Sequence, residues 1–273
     1  MTTHPSADAP VVSSVAFASD DPLAIIQSNI DFLNALFGEH LWAEEVPADA
    51  LRSYYVDYWL AQVSNGDCSQ FIYNTQWNKQ VVALVREGLE AMGATEHLAI
   101  FERSAQQVDG MTPEQLEAYY ASDYFGDNPT RDTLNAPNDA FFALEKTDPL
   151  LVKNAAWLRA HPDLVVLSAD ELEAEARRRG AALPDRAIRE AAAMAAEPRY
   201  LKLIRLLCEH AGQTLEQVTA ADPKRIHDGE PTVAYHFVTD KGHHHMIDLG
   251  DRALMFHGDS TTDPVFQLGE PEG

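Results

Sequence analysis

Cys68 stands in the stretch SNGDCSQFIYN, Ser64 to Asn74, beside the sharpest turn signal in the chain and inside a polar–aromatic alternation. A cysteine nucleophile needs a lowered pKa and a base within hydrogen-bond reach. Asp67 works the other way, because a neighbouring carboxylate disfavours a thiolate. The nearest histidines in sequence, His40 and His97, lie in no recognisable hydrolase context. The residue types favour a partly buried small side chain near a helix start over catalysis.

A second chemical cluster is His236, His243, His244, His245 and His257. If Gly250-Asp251 makes a two-residue hairpin turn, His244 faces His257 across neighbouring strands, roughly 5 Å apart and close enough to share a metal. Alternate strand residues point to opposite faces, however, and no CxxC, HExxH or carboxylate triad completes a shell. His244 and His257 are thus an incomplete metal pair, with ordinary strand histidines or a pH-sensitive interface as the plainer reading. No cofactor is expected: the chain has no GxxxxGK[ST], no GxGxxG and no GxSxG.

The third candidate is the acidity itself. Against 43 aspartates and glutamates stand 20 lysines and arginines, a net charge of −23. Such a field repels nucleic acid and anionic membranes and attracts basic proteins. Arg52, Lys79 and Arg86 are the only lysines or arginines in the first hundred residues. Glu87/Glu90 and Glu114/Glu117 are i,i+3 pairs, so like charges share a helix face at a small cost. A DNA strand carries a phosphate about every 3.4 Å, a spacing that carboxylates along helices can approximate. Glu171/Glu175 reads instead as a solvated face answered by Arg177 to Arg179. The candidate partner-binding face comprises Glu44, Glu45, Asp57, Glu87, Glu90, Glu114, Glu117, Asp123, Asp127 and Asp132.

Positioning these groups is the task of a mainly helical chain. Leu23, Ile26, Ile30, Leu33 and Phe37 recur at helical spacing between Pro22 and Gly38. A second helix is expected over 48–63, stopped by SNG, and a third over QVVALVREGLEAMGA. Others are expected over 95–104, from the Thr112–Gln115 capping box, across NDAFFALEK and PLLVKNAAWLRAHP, from the Ser168–Glu171 capping box to Gly180, and over 184–196 and 198–211. Residues 21–211 therefore read as all-helical. TLEQVTAA reads as one more short helix, and 230–268 as an antiparallel β-meander, giving α+β overall. The expected organisation is a flexible tail over 1–20, a helical domain over 21–165, a helical connector over 166–212 and a small α+β module over 213–273. The amino terminus lacks a basic region, no stretch reaches the ~18–20 apolar residues of a membrane span, and the two cysteines form no framework, so a cytoplasmic protein is expected.

SNGDCSQFIYN, following LRSYYVDYWLAQV, resembles the signature of the bacterial DNA-mimic protein 19-like family, through Asn65, Gly66, Gln70, Phe71, Tyr73 and Asn74. That family shows Asn-Gly-Gly-Phe, a variable residue, then Gln-Phe-Phe-Tyr-Asn. Asp67-Cys68 here replaces Gly-Phe, and Ile72 replaces a phenylalanine. ALVREGLEAMGATEHLAIFERS and NDAFFALEKTDPLLVKNAAWLRAHP extend the similarity to roughly 45–165, the latter through Asp139, Phe142 and Leu144. Physically the motif reads as structure: Asn65-Gly66 ends a helix, Gln70 and Asn74 bond loop backbone, and Phe71 and Tyr73 anchor on Tyr55 and Trp59. The resemblance implies a helical fold, dimerisation and, in the best-understood type, occupation of a transcription regulator's DNA-binding surface. The expectation is a non-enzymatic protein that binds a basic partner, with no direct contact to nucleic acid or membrane. The alternatives are an immunity or inhibitor-type protein directed at a toxin or enzyme, and a metal-dependent enzyme using the carboxy-terminal histidines.

Overall fold

The computed structural model describes residues 8–269. Two compact units divide the chain, residues 1–186 and 187–273.

In the first unit, strand β1 (Val11–Ser13) pairs in parallel with β2 (Val165–Leu167), in the register Val11 to Val165. The helices are α1 (Ser14–Ala18), α2 (Pro22–Gly38), α3 (Ala48–Thr75), α4 (Lys79–Ala91), α5 (Thr95–Asp109), α6 (Pro113–Tyr120), α7 (Pro129–Leu134), α8 (Asn138–Glu145), α9 (Leu150–Arg159) and α10 (Ala169–Ala181). Their starts are chemically specified. Asp21 accepts the Leu23 N–H at 2.9 Å ahead of Pro22, and Asn78 accepts those of Gln80 and Val81. Thr112–Gln115 and Ser168–Glu171 both close as capping boxes.

The central core of this unit is aromatic. Trp59 packs edge-on against Phe101 at 5.4 Å and Phe141 at 5.3 Å, with Phe71, Val85 and Leu89 around them. Its buried polar groups pair: Ser53 Oγ lies 2.8 Å from Asn154 Oδ1, and Asn154 Nδ2 donates to the Ser53 carbonyl at 3.0 Å.

In the second unit, α11 (Arg186–Ala196), which begins at the division, and α12 (Arg199–His210) precede a five-stranded antiparallel sheet. Its strands, in spatial as in chain order, are β3 (Leu215–His227), β4 (Glu230–Thr239), β5 (Gly242–Asp248), β6 (Ala253–His257) and β7 (Phe266–Leu268). Phe237, Met246 and Met255 on one face pack with Ile204, Leu207 and Cys208 of α12.

The helical body with a carboxy-terminal antiparallel sheet agrees with the sequence, but three segments differ. Of the tail expected over 1–20, residues 1–7 lie outside the described residues; residues 11–18 form β1 and α1, and Val11 and Val12 are wholly buried. Three-residue strands are too short to show alternation, so neither β1 nor β2 was visible, and β2 interrupts the run expected to be all-helical. TLEQVTAA is the start of β3, not a helix. Leu215 and Val218 are three apart, a helical spacing, yet both join the α12 cluster because register shifts at Leu215/Gln217 and Val218/Ala220 displace the alternation.

Candidate functional site

The SNGDCSQFIYN stretch is a kink within α3. Gly66 (φ −157°, ψ 32°) and Asp67 (φ 70°, ψ 178°) leave helical geometry, and the helix resumes at Cys68. The resumed turn exposes backbone N–H groups that need partners. Asn138 Oδ1 accepts the Cys68 N–H and Asn135 Oδ1 that of Ser69, both at 3.0 Å. Tyr124 OH donates to the Gly66 carbonyl at 2.6 Å, and Tyr119 OH to that of Ser69 at 3.1 Å. Gln70 and Asn74 do not bond loop backbone as expected; both amides donate to Gln62 Oε1, at 2.9 and 2.6 Å, one helical turn before the kink. Phe71 enters the Trp59 core, whereas Tyr73 packs on Tyr119 and Tyr124 instead of Tyr55 and Trp59. Cys68 is 1% exposed, and burial pushes its thiol up to about 11, with Asp67 adding to the shift.

The candidate carboxylates spread over this same unit. Glu44 and Glu45 lie on a 3-10 turn before α3, Asp57 on α3, Glu87 and Glu90 on α4, Glu114 and Glu117 on α6, Asp132 on α7, and Asp123 and Asp127 on the loop between α6 and α7. All are exposed except Glu45 and Asp57, which are half-buried. Glu45 caps the Trp42 N–H, and burial holds the Asp57 carboxyl above its ordinary range. Arg52 pairs with Glu87 at 2.8 Å, and Arg131 with Asp132 at 2.8 Å. Among the described residues, Glu90, Glu114, Glu117, Asp123 and Asp127 have no lysine or arginine within 4 Å. The acids thus remain available to solvent or to a partner's cations.

In the second unit His244 does pair with His257, with ring centroids 5.1 Å apart. Gly250, at φ 87°, supplies the left-handed turn that sets this register. His244 is nevertheless buried, with Nδ1–H donating to the Gly242 carbonyl at 2.9 Å, while His257 is exposed. On the opposite face His236 stacks on His243 and tilts against His245. Among the described residues no three histidine, cysteine, aspartate or glutamate side chains are arranged to hold a metal.

Two hollows are among the several that mark the first unit. One of about 510 Å3 runs between α1, α2 and α10, past Ala16, Phe32, Leu172 and Asp31. The other, about 450 Å3, is lined by Gln107, Met111, Gln115, Pro129 and Leu134. Sequence reading missed both, because alanines and glutamines from separate helices carry no local signal. Among the described residues no helix is long and apolar enough to cross a membrane.

The model of the family described as DMP19-like protein matches residues 44–161, which include the kink and every candidate carboxylate. No curated protein and no solved structure matches the chain.

Proposed function

We propose that the DMP19-like segment, residues 44–161, is a non-enzymatic docking module that presents carboxylates to a basic protein and occupies its DNA-binding surface. The observation that carries this reading is the exposure of Glu114, Glu117, Asp123 and Asp127 without lysine or arginine partners, and of Glu90 with Arg86 acting on it only beyond ion-pair distance, inside the segment that the family model matches. Surface carboxylates that are not neutralised at home retain their full attraction for cations elsewhere. A groove built to take phosphates offers those cations in rows.

The buried state of Cys68 supports a structural role for the kink, since a thiol held near 11 supplies almost no thiolate at neutral pH. A cytoplasmic basic partner, such as a helix-turn-helix regulator or a nucleoid protein, fits the charge.

The test is to immobilise the full chain, load bacterial lysate at low salt, elute with a salt gradient and identify what is released. The reading requires a DNA-binding protein that leaves at moderate salt and is displaced by duplex DNA. Partners that resist salt and ignore DNA would overturn mimicry and favour an inhibitor-type role.

A further inference from the structure

Phe125 is 91% exposed, the highest value for a large apolar side chain among the described residues. A phenyl ring on a loose loop would fold onto the nearest apolar surface, and here the backbone on either side of the ring is pinned. The Arg131 guanidinium donates to the carbonyls of Tyr124 at 2.8 Å and Gly126 at 3.0 Å, one on each side of Phe125. Tyr124 is tied by its hydroxyl to Gly66 and Ser69 at the α3 kink, with its ring 5.0 Å from that of Tyr73. Asn128, 5% exposed, donates to Ser122 Oγ at 2.8 Å and accepts the Arg131 N–H at 3.0 Å. The backbone of the loop is thus held on its inner side, the Phe125 N–H donates to Asp123 Oδ1 at 3.1 Å, and the Phe125 ring meets that of Tyr124 nearly at right angles, centroids 5.3 Å apart.

The setting of the ring is acidic. Asp123 and Asp127 flank it in sequence, both exposed and neither within 4 Å of a lysine or arginine among the described residues. An anionic membrane or a nucleic acid would be repelled by this rim, and a second copy of the chain docking through the same face would bring the same charges. A basic protein surface satisfies both parts. An apolar pocket takes the ring, arginines or lysines around it meet the two carboxylates, and a guanidinium can lie over the ring face.

We propose that Phe125 is the anchor residue of the acidic surface, inserting into an apolar pocket rimmed by arginine or lysine on the basic partner. The proposal rests on the docking role argued above and adds its specificity element. A field of carboxylates is accepted by any basic groove, whereas an aromatic ring fixed among them selects a surface with a pocket in the right place.

The experiment uses the full chain and three purified probes: a helix-turn-helix repressor, a minor-groove nucleoid protein and a basic single-strand-binding protein. Each is titrated calorimetrically against the wild type, Phe125→Ala and the Asp123→Asn/Asp127→Asn pair, at several salt concentrations. At least one probe is expected to bind the wild type in competition with DNA. Phe125→Ala should then weaken it at least about tenfold with the salt dependence unchanged, while the double asparagine variant flattens the salt dependence. Unaltered thermal unfolding of Phe125→Ala checks that only the surface has changed. Salt-dependent, DNA-competed binding that Phe125→Ala leaves intact would overturn the anchor and keep the docking role. Failure of all three probes to bind would overturn both. Self-association of the wild type that Phe125→Ala abolishes would replace the basic partner by a second copy.

Discussion

Asn135 holds the α3 kink from both sides, its Oδ1 accepting the Ser69 N–H at 3.0 Å while its Nδ2 donates to Asp67 Oδ2 at 3.2 Å. One side chain, 66 residues away from Ser69 in sequence, thus caps the resumed helix and steadies a residue with unfavourable backbone. Asp67, at φ 70° and ψ 178°, occupies a region almost confined to glycine.

Replacing Asp67 by glycine should therefore stabilise the first unit. The strained backbone costs about 1–3 kcal/mol, against about 0.5–1.5 kcal/mol for the hydrogen bond lost to Asn135. A net gain on the order of 1 kcal/mol is expected in urea unfolding followed by tryptophan fluorescence. Asp67→Ala keeps the strain, loses the bond and should destabilise. A glycine variant weaker than the alanine variant would show that the carboxylate, not the backbone, governs this position.

Much of this was legible because it is local. Thr112–Gln115 and Ser168–Glu171 announce helix starts within four residues, and the break at Gly66 was readable from SNG. The His244–His257 register followed from the Gly250-Asp251 turn alone. What stayed hidden depends on distant partners. Nothing near Cys68 specifies that Asn138, 70 residues on, caps its N–H. Nothing in TLEQVTAA reveals that bulges bring Leu215 and Val218 to one side of a sheet. The exposure of Phe125 was equally hidden, because it follows from Arg131 gripping the carbonyls around it.

Gly88 lies buried in the middle of α4, where glycine ordinarily costs a helix about 1 kcal/mol relative to alanine. Close approach to α3 explains it: a methyl there would meet Val56 Cγ2 at 2.7 Å and the Arg52 carbonyl at 3.0 Å. Because a backbone oxygen cannot swing aside, Gly88→Ala should overpack the contact by roughly 1–3 kcal/mol, outweighing or cancelling the gain in helix propensity. Urea midpoints decide the matter, and a clear rise in stability would mean that the two helices can separate freely.

Both cysteines should be inert in the folded protein. Burial pushes the thiols of Cys68 and Cys208 up to about 11, with Asp67 and Asp240 respectively adding to the effect. A disulfide-exchange reagent at pH 8 is expected to label neither until denaturant is added, after which both react rapidly. Fast labelling of Cys68 in native buffer would reopen the case for a reactive thiol at the kink.

Acid should affect the two units over different pH ranges. His245 is wholly buried, its Nδ1–H donates to the Gly258 carbonyl at 2.7 Å, and its Nε2 has no partner among the described residues. Burial holds His245 and His244 below the ordinary histidine value of 6.5. The unfolded chain therefore takes up more protons than the folded one once the pH falls below about 6.5, so the second unit is fully stable above that point and weakens beneath it. Glu175 in the first unit has the opposite character. Burial alone would raise its carboxyl, but hydrogen bonds from Arg178 at 2.7 Å and Arg179 at 2.8 Å outweigh it and hold the group below 4.5. That contribution persists above about pH 4.5 and is lost only as the pH falls further. Trp42, Trp59, Trp77 and Trp157 all lie in the first unit, so tryptophan fluorescence reports on it alone, while amide exchange of Met246 and Met255 reports on the sheet. Between pH 6.5 and 4.5 the protection of the sheet amides, corrected for the slower intrinsic exchange in acid, should fall progressively while the tryptophan signal in urea stays nearly constant. Coincident loss of both signals would show that the buried imidazoles do not set the acid stability of the sheet.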